Sequence, residues 1–372
     1  MPQNYVASYS TDGTTYTDLT NVQDISLSVG RQRQLDPYNA STGTIVMRYP
    51  TGYASPITAL TSGNFIRITN ASSGQFMFYG TINNVEVGYG SPYGGGVGQA
   101  DFMTITVEGF FARFGRVQGL DYAMASGAVF TQMSTCQTQT GLSISASSSV
   151  NQVMAATTVS STWGDWVNKT LVSINGRLWD SYGLSVSVQS PFESFNSAIT
   201  FSDTTNNATN QVYDQINFGS YADNFYTQVT VDPESFAAQT VQTGSAPFRT
   251  LNMNTFNSST FQATDYANYL LANYKTQGFA LLSISCLAEA QNTFKLDSVS
   301  GYSGTQFSTT PGTKVSVVFR GSTFNCVVEG VTMTATPESS RYTYYLSGAD
   351  LNAYLILDNT VFGTLDYNRL GY

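Results

Sequence analysis

Residues 29–50 read VGRQRQLDPYNASTGTIVMRYP, and they combine the two features that set this chain apart, clustered charge and strict alternation. Two arginines and an aspartate stand within the six residues Arg31–Asp36, although only 10% of the chain is charged. The run follows one alternating segment, Ile25–Val29, and leads into another, Gly43–Arg48, as successive β-strands do. We therefore interpret this stretch as a rigid joint between strands of a structural protein.

Composition limits the class of protein. The chain has 372 residues, enough for two to four domains at roughly 100–200 residues per domain. Its 10% of charged residues compares with about 25% in ordinary soluble domains, and aromatic residues reach 13%. A polar, uncharged and tyrosine-rich surface favours dense contacts between subunits. A low-charge secreted β protein is the alternative that composition leaves open.

The charge balance bears on nucleic acid as a partner. The net charge is −9, whereas a surface that wraps nucleic acid needs a basic stripe. An acidic or neutral pore wall, past which DNA slides without sticking, remains compatible with this charge.

The residue types also argue against catalysis. Histidine is absent, which excludes Ser-His-Asp and Cys-His catalysis and His-ligated zinc. Asp165, Asp180, Glu193 and Asp203 are candidates for the carboxylate pair of a glycoside hydrolase. We assign Asp165 and Asp180 to a helix, where capping and solvation explain them. We predict no catalytic residue, no cofactor and no metal site, and expect that the chain is not an enzyme.

The three cysteines, Cys136, Cys286 and Cys326, are far apart in the sequence. This dispersed set predicts buried free thiols in a reducing compartment, and a Cys286–Cys326 disulfide is the alternative. The first residues are polar, and no apolar run reaches the roughly 18 residues of a membrane span. We expect a protein that is made in the cytoplasm and does not insert stably into a membrane.

Strand patterns dominate both ends of the chain. An Asp12-Gly13 turn predicts an N-terminal hairpin, and residues 1–118 read as one antiparallel β domain. The glycine-rich connector 88–100 is expected to be a mobile loop that reaches a neighbour. A second β block follows later, with Ala280–Leu287 as a central strand.

Val129, Phe130, Met133 and Cys136 fit a helix that ends before Gly141. Two clearer helices are predicted further along the chain. The first covers Trp163–Tyr182, with Thr162 as its cap and Gly183 as its stop. The second covers Asp265–Lys275, capped by Thr264. Residues 145–159 are predicted to be loop.

The charged run suggests a contact surface. In a strand, Arg31 and Arg33 would face the same way, because side chains repeat every second residue. That face is a candidate contact with a carboxylate of a neighbouring subunit, together with Leu35 and Asp36, and Asp36 is also placed to pair within its own loop. A solvated edge that discourages strand addition is the alternative.

The chain ends in an apolar tail that we expect to dock on the body or on a partner. Its charged residues complete the set of interface candidates: Asp358, Asp366 and Arg369.

Several short motifs follow one another in a recognisable order. A strand ends in Gly-Arg-x-Arg-x-Leu-Asp, at Gly30–Asp36, and a loop then leads into Thr-Gly-Thr-Ile-Val-Met-Arg. Further motifs lie at Gly63–Ile68, Phe78–Gly80, Thr104–Phe114, Asp265–Ala272, Leu357–Asp358, Gly363–Asp366 and Leu370–Gly371. In this order the motifs resemble those of tail hub proteins, often called minor tail proteins, of long-tailed bacteriophages.

The resemblance implies a mainly β (α+β) chain with two antiparallel β-barrel or sandwich tube domains and helix-containing insertions. We expect an N-terminal β tube domain over 1–118, a helix-containing domain over 119–200, a second β tube domain with a helix over 201–292, and a C-terminal β domain with a docking tail over 293–372.

The resemblance also implies a homotrimeric hub at the tail tip or baseplate of a virion, where two related domains per subunit continue the sixfold tail tube. The implied partners are a distal tail protein, a tape measure protein and a tip fibre or receptor-binding protein. Viral DNA would pass through the lumen without specific binding. A hexameric distal tail protein and a carbohydrate-binding tip protein are the alternatives.

Overall fold

The computed structural model describes residues 5–49, 59–71, 76–89, 101–147, 150–181, 184–190, 195–204, 210–220, 225–275, 278, 280–287 and 311–348. In this part of the chain the fold is mainly β, as predicted. Within it, no helix is both long enough and apolar enough to cross a membrane.

Alternating apolar residues build a first β block. Its strands are β1 (Tyr5–Ser10), β2 (Thr17–Asp18), β3 (Val22–Gly30), β4 (Thr42–Tyr49), β5 (Phe65–Asn70), β6 (Phe76–Gly88) and β7 (Asp101–Gly109). β1 pairs with β2, which confirms the predicted N-terminal hairpin. Most of the connector predicted as a mobile loop, from residue 90 to residue 100, lies outside the described residues.

A helical unit follows the first block. Its elements are α1 (Phe111–Phe114), β8 (Tyr122–Met124), β9 (Gly127–Ala128), α2 (Val129–Thr140), β10 (Ser143–Ala146), β11 (Val153–Met154), β12 (Thr157–Val159), α3 (Trp163–Ile174), β13 (Arg177–Ser181) and β14 (Ser185–Gln189). Three short strands therefore occupy parts of the region that was predicted to be loop.

A second β block contains an inserted unit. The chain runs through β15 (Phe195–Ser202), β16 (Asn210–Val212), β17 (Gln215–Gly219), β18 (Gln228–Pro233), β19 (Gln239–Gln242), β20 (Thr250–Thr255), α4 (Thr260–Tyr274), β21 (Ala280–Leu287), β22 (Thr313–Phe319), β23 (Ser322–Ala335) and β24 (Ser340–Gly348). The inserted unit consists of β18–β20 and α4. β21 lies between β17 and β24, which confirms it as an inner strand.

The helix predicted over Trp163–Tyr182 is wrong in its second half. α3 ends at Ile174, because Asn175 adopts a left-handed conformation with φ of 51° and Gly176 follows it. The next residues form β13, which pairs with β14 as a hairpin. The apolar residues of β13 continue the spacing of the helical stripe, so periodicity alone extended the helix too far.

The helix caps show where local signals worked. Thr162 accepts a hydrogen bond from the N–H of Asp165, which confirms the predicted cap of α3. α4 begins earlier than predicted, because Ser259 and not Thr264 is its cap. Thr264 lies inside the helix and donates its hydroxyl to the carbonyl of Thr260.

Three hydrophobic cores lie under these elements. Core 1 runs through both β blocks, core 2 lies beneath α2 and α3, and core 3 lies between α4 and the β18–β20 sheet. Cys136, Cys286 and Cys326 are buried and free, as predicted. The alternative Cys286–Cys326 disulfide is therefore wrong.

The two β blocks repeat one strand order. In the first, β3, β4, β7, β6 and β5 lie side by side, and in the second β17, β21, β24, β23 and β22 do so, with every neighbouring pair antiparallel. The chain passes through both sets in the same order. One extra residue interrupts the pairing at matching places, Asn83 in β6 and Glu329 in β23.

The blocks are joined edge to edge. β3 pairs antiparallel with the second half of β23, from Ile25 opposite Ala335 to Gly30 opposite Gly330. A single sheet of 14 strands therefore runs through the described parts of both blocks. The division of the chain at 118, 200 and 292 stays a prediction.

Candidate functional site

The loop after β3 lies where the three cores meet. Val29, at the end of β3, belongs to core 1, Tyr38 belongs to core 2, and Leu35 packs against core 3. The loop therefore joins both β blocks, the helical unit and the inserted unit, and we call residues 30–41 the joint.

Two glycines let the backbones cross closely at the joint. The φ of Gly30 is 80°, and a Cβ atom there would lie 2.5 Å from the carbonyl oxygen of Glu329. A Cβ atom on Gly330 would lie 2.4 Å from the carbonyl oxygen of Arg31. The N–H of Arg31 donates to the Glu329 carbonyl at 3.0 Å, so the crossing is hydrogen-bonded as well as tight.

A buried ion pair closes the crossing. Arg31 Nε lies 2.8 Å from Glu329 Oε2, and the two side chains are 7% and 0% exposed. The other carboxylate oxygen of Glu329 accepts a hydrogen bond from the hydroxyl of Ser347 at 2.6 Å. The guanidinium of Arg31 lies over the ring of Tyr38, 4.4 Å from its centroid.

The electrostatics keep Glu329 ionised. Burial raises its pKa, but the charges of Arg31 and Arg177 and the hydrogen bonds from Ser347 and Arg31 outweigh burial, so the pKa lies below its ordinary value. Arg177 comes from β13 and is itself buried. Two cations from different parts of the chain thus converge on one carboxylate.

Tyrosines surround this charge cluster. The hydroxyl of Tyr274 donates to Gln34 Oε1 at 2.8 Å, and Asn175 donates to the hydroxyl of Tyr269 at 3.1 Å. Burial is the largest influence on Tyr38 and Tyr269 and raises the pKa of each to about 12. Their phenols therefore stay neutral at physiological pH and add no charge to the cluster.

The structure separates the two arginines that were predicted to share a face. β3 ends at Gly30, so Arg31 and Arg33 lie in a loop, and the predicted strand alternation is wrong here. Arg33 is 43% exposed and pairs at 3.0 Å with Asp36. The pairing of Asp36 within its own loop is thereby confirmed.

The joint also lines a pocket. Arg31, Leu35, Asp36, Asn168, Met253 and Tyr266 are among its lining residues. Of the other predicted interface residues, Asp358, Asp366 and Arg369 lie outside the described residues.

Sequence reasoning missed Glu329 and Arg177. The signal for Glu329 was present, because it is the lone charge in the apolar run of Cys326–Val331. A charged residue in a buried strand needs a partner, but nothing in the sequence says which arginine provides it.

Asp180 was assigned wrongly to a solvated helix. It lies buried on β13, where its carboxylate accepts the N–H of Ser41 at 2.7 Å and the N–H of Phe111 at 2.6 Å. Burial raises the pKa of Asp180, and these backbone hydrogen bonds oppose that rise. Asp180 therefore ties β13 to the joint and to the start of α1.

The acids considered for hydrolysis have structural contacts. Asp165 accepts a hydrogen bond from Thr162, Asp203 accepts the N–H of Arg320 at 2.6 Å, and Glu193 lies outside the described residues. Across the described ranges, no group of three or more His, Cys, Asp or Glu residues is placed to hold a metal ion.

Comparison with known proteins gives matches in structure alone. No protein-family model and no curated protein matches the sequence. A tail protein from Neisseria meningitidis MC58 is similar with a TM-score of 0.65 at 13% identity, over 94% of this chain and 98% of that one. The 43 kDa tail protein of prophage MuSo2 from Shewanella oneidensis gives a TM-score of 0.64 at 9% identity, over 94% and 99%.

A secretion-system protein shares the fold more distantly. The E. coli c3393 protein, a type VI secretion system component with structural similarity to the T4 bacteriophage tail proteins gp27 and gp5, gives a TM-score of 0.51 at 9% identity, over 88% of this chain and 73% of that one. The chain therefore has the fold of these phage tail proteins, and the resemblance inferred from its motifs is confirmed at the level of the fold.

Proposed function

We propose that this protein is a non-enzymatic structural component of a phage-type tail tip or baseplate, and that it works as a homotrimeric hub. The observation that carries the proposal is the extent of the likeness, which takes in 94% of this chain and nearly all of two phage tail proteins. A match over whole chains, and not over one domain, favours a similar role.

The repeated β block supports the number of subunits. Each chain holds two blocks with one strand order. Three copies would supply six equivalent blocks, which suits a ring that continues a sixfold tail tube. In this arrangement the joint would fix the angle between the two blocks of each subunit.

The hub would hold partners around a channel. A distal tail protein and a tape measure protein would dock on it from the tube side, and a tip fibre or receptor-binding protein from the other side. The net charge of −9 suits a lumen through which viral DNA passes without sticking. The proposed contacts are the exposed Arg33, the half-buried Asp36 and the tail residues Asp358, Asp366 and Arg369.

The mass of the assembled protein tests the proposal. We expect three subunits around an open pore in native mass spectrometry and negative-stain images. Six subunits would favour a hexameric distal tail protein. A monomer that binds cell-wall glycan would instead support the carbohydrate-binding alternative.

A charge swap tests the contact role of Arg33. Because Arg33 already pairs with Asp36, R33E alone changes both the loop and any contact with a neighbour. R33E/D36R restores the pair within the loop, so it serves as the matched control. We expect both variants to weaken the trimer. If R33E/D36R assembles like the wild type, the contribution of Arg33 is confined to its own loop.

A further inference from the structure

Two arginines in the first part of the chain lie against aromatic rings and not against carboxylates. Arg67 is on the side of β5 that faces away from core 1, and Arg113 is in α1; both are half-buried. Within the described ranges, neither side chain forms an ion pair or donates a hydrogen bond. A shortage of acids does not explain this, because the chain has 24 aspartates and glutamates against 15 lysines and arginines.

The guanidinium of Arg67 lies between two rings. Its Cζ is 4.0 Å from the ring centroid of Tyr16 and 5.7 Å from that of Phe76. Its Nε is buried and has no hydrogen-bond partner among the described residues. Buried polar atoms are normally hydrogen-bonded, so this guanidinium lacks an acceptor that a ligand or a water molecule would supply.

Arg113 has a similar environment. Its Cζ is 5.5 Å from the ring centroid of Phe65 and 5.2 Å from that of Phe110. Burial and the charge of Arg116 lower the pKa of Arg113, and the charge of Glu108 only partly opposes them. Glu108 itself pairs with Arg116 at 2.5 Å. The positive charge of Arg113 therefore has no carboxylate of its own.

The surrounding rings are fixed to the sheet. Phe65 and Arg67 are two residues apart on β5 and project to the same side, about 7 Å apart along the strand. The hydroxyl of Tyr16 donates to that of Tyr79 at 2.5 Å, and Tyr79 donates to the carbonyl of Gly13 at 3.1 Å. The turn that carries Tyr16 is thereby held in place, so the surface is formed before a ligand binds.

The acids close to this surface have contacts of their own. Asp12 accepts the N–H groups of Thr14 and Thr15, both at 2.8 Å. Asp18 accepts the hydroxyl of Ser8 at 2.7 Å. These carboxylates therefore do not supply the acceptors that the two arginines lack.

We propose that these two arginines and their rings form a docking surface for an acidic segment of a partner protein, with one carboxylate at each guanidinium. The surface, which we call the arginine–aromatic surface, consists of Tyr16, Phe65, Arg67, Phe76, Phe110 and Arg113. Arginine binds carboxylates bidentately, and such charge-assisted hydrogen bonds are the strong ones. Side chains on alternate residues of an extended segment are about 7 Å apart, the same spacing as Phe65 and Arg67 on β5.

Nucleic acid suits this surface less well. A phosphate backbone needs a continuous basic stripe. Here the charge of Asp12 acts on Tyr16 and that of Glu108 acts on Arg113, so acidic groups adjoin the surface. The net charge of −9 also opposes nucleic acid over the rest of the chain. Two separate guanidiniums fit single carboxylates better than a polyphosphate chain.

Fluorescence anisotropy with a labelled peptide of alternating glutamate and threonine tests the surface. The matched probe has glutamine in place of every glutamate, and a labelled oligothymidylate of similar length represents nucleic acid. The full-length protein is titrated into each probe at low and at physiological salt. We expect the Glu/Thr probe to bind, its binding to weaken as the salt concentration rises, and the Gln/Thr probe not to bind.

Variants assign the binding to the two arginines. We expect R67Q/R113Q to weaken binding of the Glu/Thr probe about tenfold or more, because two charge-assisted hydrogen bonds are lost. R48Q is the matched control: it removes an exposed arginine from β4, which β7 and β6 separate from β5, and should bind like the wild type. R67K/R113K keeps both charges but not the planar forks, so its affinity should be intermediate.

Circular dichroism checks that the variants fold, and if R67Q/R113Q does not, R67Q and R113Q are each compared with R48Q. Equal affinity of these variants and the wild type for the Glu/Thr probe would overturn the proposal, as would failure of the wild type to bind this probe at low salt. Equal losses in R48Q and R67Q/R113Q would show an effect of net charge alone. Tighter binding of oligothymidylate through the same arginines would overturn the acidic partner in favour of nucleic acid.

Discussion

Glu329 shows how much one residue contributes at the joint. The positive charges of Arg31 and Arg177 stabilise its ionised carboxylate, which also accepts a hydrogen bond from Ser347. Its backbone carbonyl accepts a hydrogen bond from the N–H of Arg31. A buried ion pair adds little net stability over an apolar pair of the same size, but breaking one by removing a partner costs about 3–5 kcal/mol. The cluster therefore matters more through the cost of breaking it than through the net stability that it adds.

The first prediction concerns the charge of Glu329. E329Q keeps the size of the side chain but leaves two buried cations without their carboxylate, so we expect it to lower the free energy of unfolding by about 3–5 kcal/mol. Chemical denaturation measures the change. E338Q, at an exposed position, is the matched control. Equal effects of the two variants would show that the buried pair contributes nothing specific.

The second prediction concerns pH. The pKa of Glu329 is lower in the folded protein than its ordinary value of 4.5, so its contribution is fully present above about pH 4.5 and is lost as the pH falls through the folded pKa. The wild type should therefore lose stability on acidification more steeply than E329Q. Denaturation curves at stepwise lower pH test this, and parallel losses in the two proteins would contradict it.

Between elements, the transition from α3 to β13 places charged side chains where they act. Asn175 ends the helix. On the strand that follows, the charge of Arg177 lowers the pKa of Glu329, and Asp180 accepts the N–H of Phe111 at the start of α1. A helix continued to residue 182 would leave both side chains on a helical face. Because α3 ends early, Asp180 lies on β13, where its hydrogen bonds to Ser41 and Phe111 hold the helical unit against the first β block.

The third prediction concerns the anchor at Asp180. Its two carboxylate oxygens each accept a backbone N–H, whereas the amide of D180N has a single acceptor oxygen. One buried donor loses its partner, so we expect D180N to lower the free energy of unfolding by about 1–3 kcal/mol. D24N, at an exposed position of β3, is the control. Equal stability of D180N and the wild type would contradict the anchor.

For the molecule as a whole, the repeated block leaves two strand edges uncovered among the described residues, that of β17 and that of residues 84–88 of β6. Inside the chain, β3 covers the second half of β23, and in the proposed ring a similar contact would form between chains. Free edges of this kind also invite unwanted strand addition unless a partner covers them.

The fourth prediction concerns assembly. V87K puts an inward-facing charge on the free edge of β6, a device that blocks strand pairing, while its long stem lets the amine reach water and the monomer fold. We expect V87K to shift the protein from rings to monomers in native mass spectrometry. V153K, at an exposed apolar position of the helical unit, should assemble normally. Rings of unchanged stability in V87K would argue against pairing at this edge.

Patterns among neighbouring residues predicted individual strands and the start of a helix. Alternation predicted the strand that contains Ile25, and a nearly continuous apolar run predicted the strand that contains Ile284. The Thr162–Asp165 pair correctly marked the start of α3. The same local reasoning failed at the end of α3. The apolar residues there fit either a longer helix or a following strand, and the helix was chosen wrongly. The same reasoning also placed Arg31 and Arg33 on a strand face that stops at Gly30.

The mainly β class and the absence of histidine chemistry follow from the sequence, because alternation and residue type are properties of adjacent positions or of composition. The partner of Arg31 does not, because Glu329 lies 298 residues away in the chain. The pairing of β3 with β23 and the convergence of Arg177 on the same carboxylate also depend on contacts between distant segments. Such contacts form only when the two blocks pack together. No local sequence pattern shows which buried charges or which strand edges will meet.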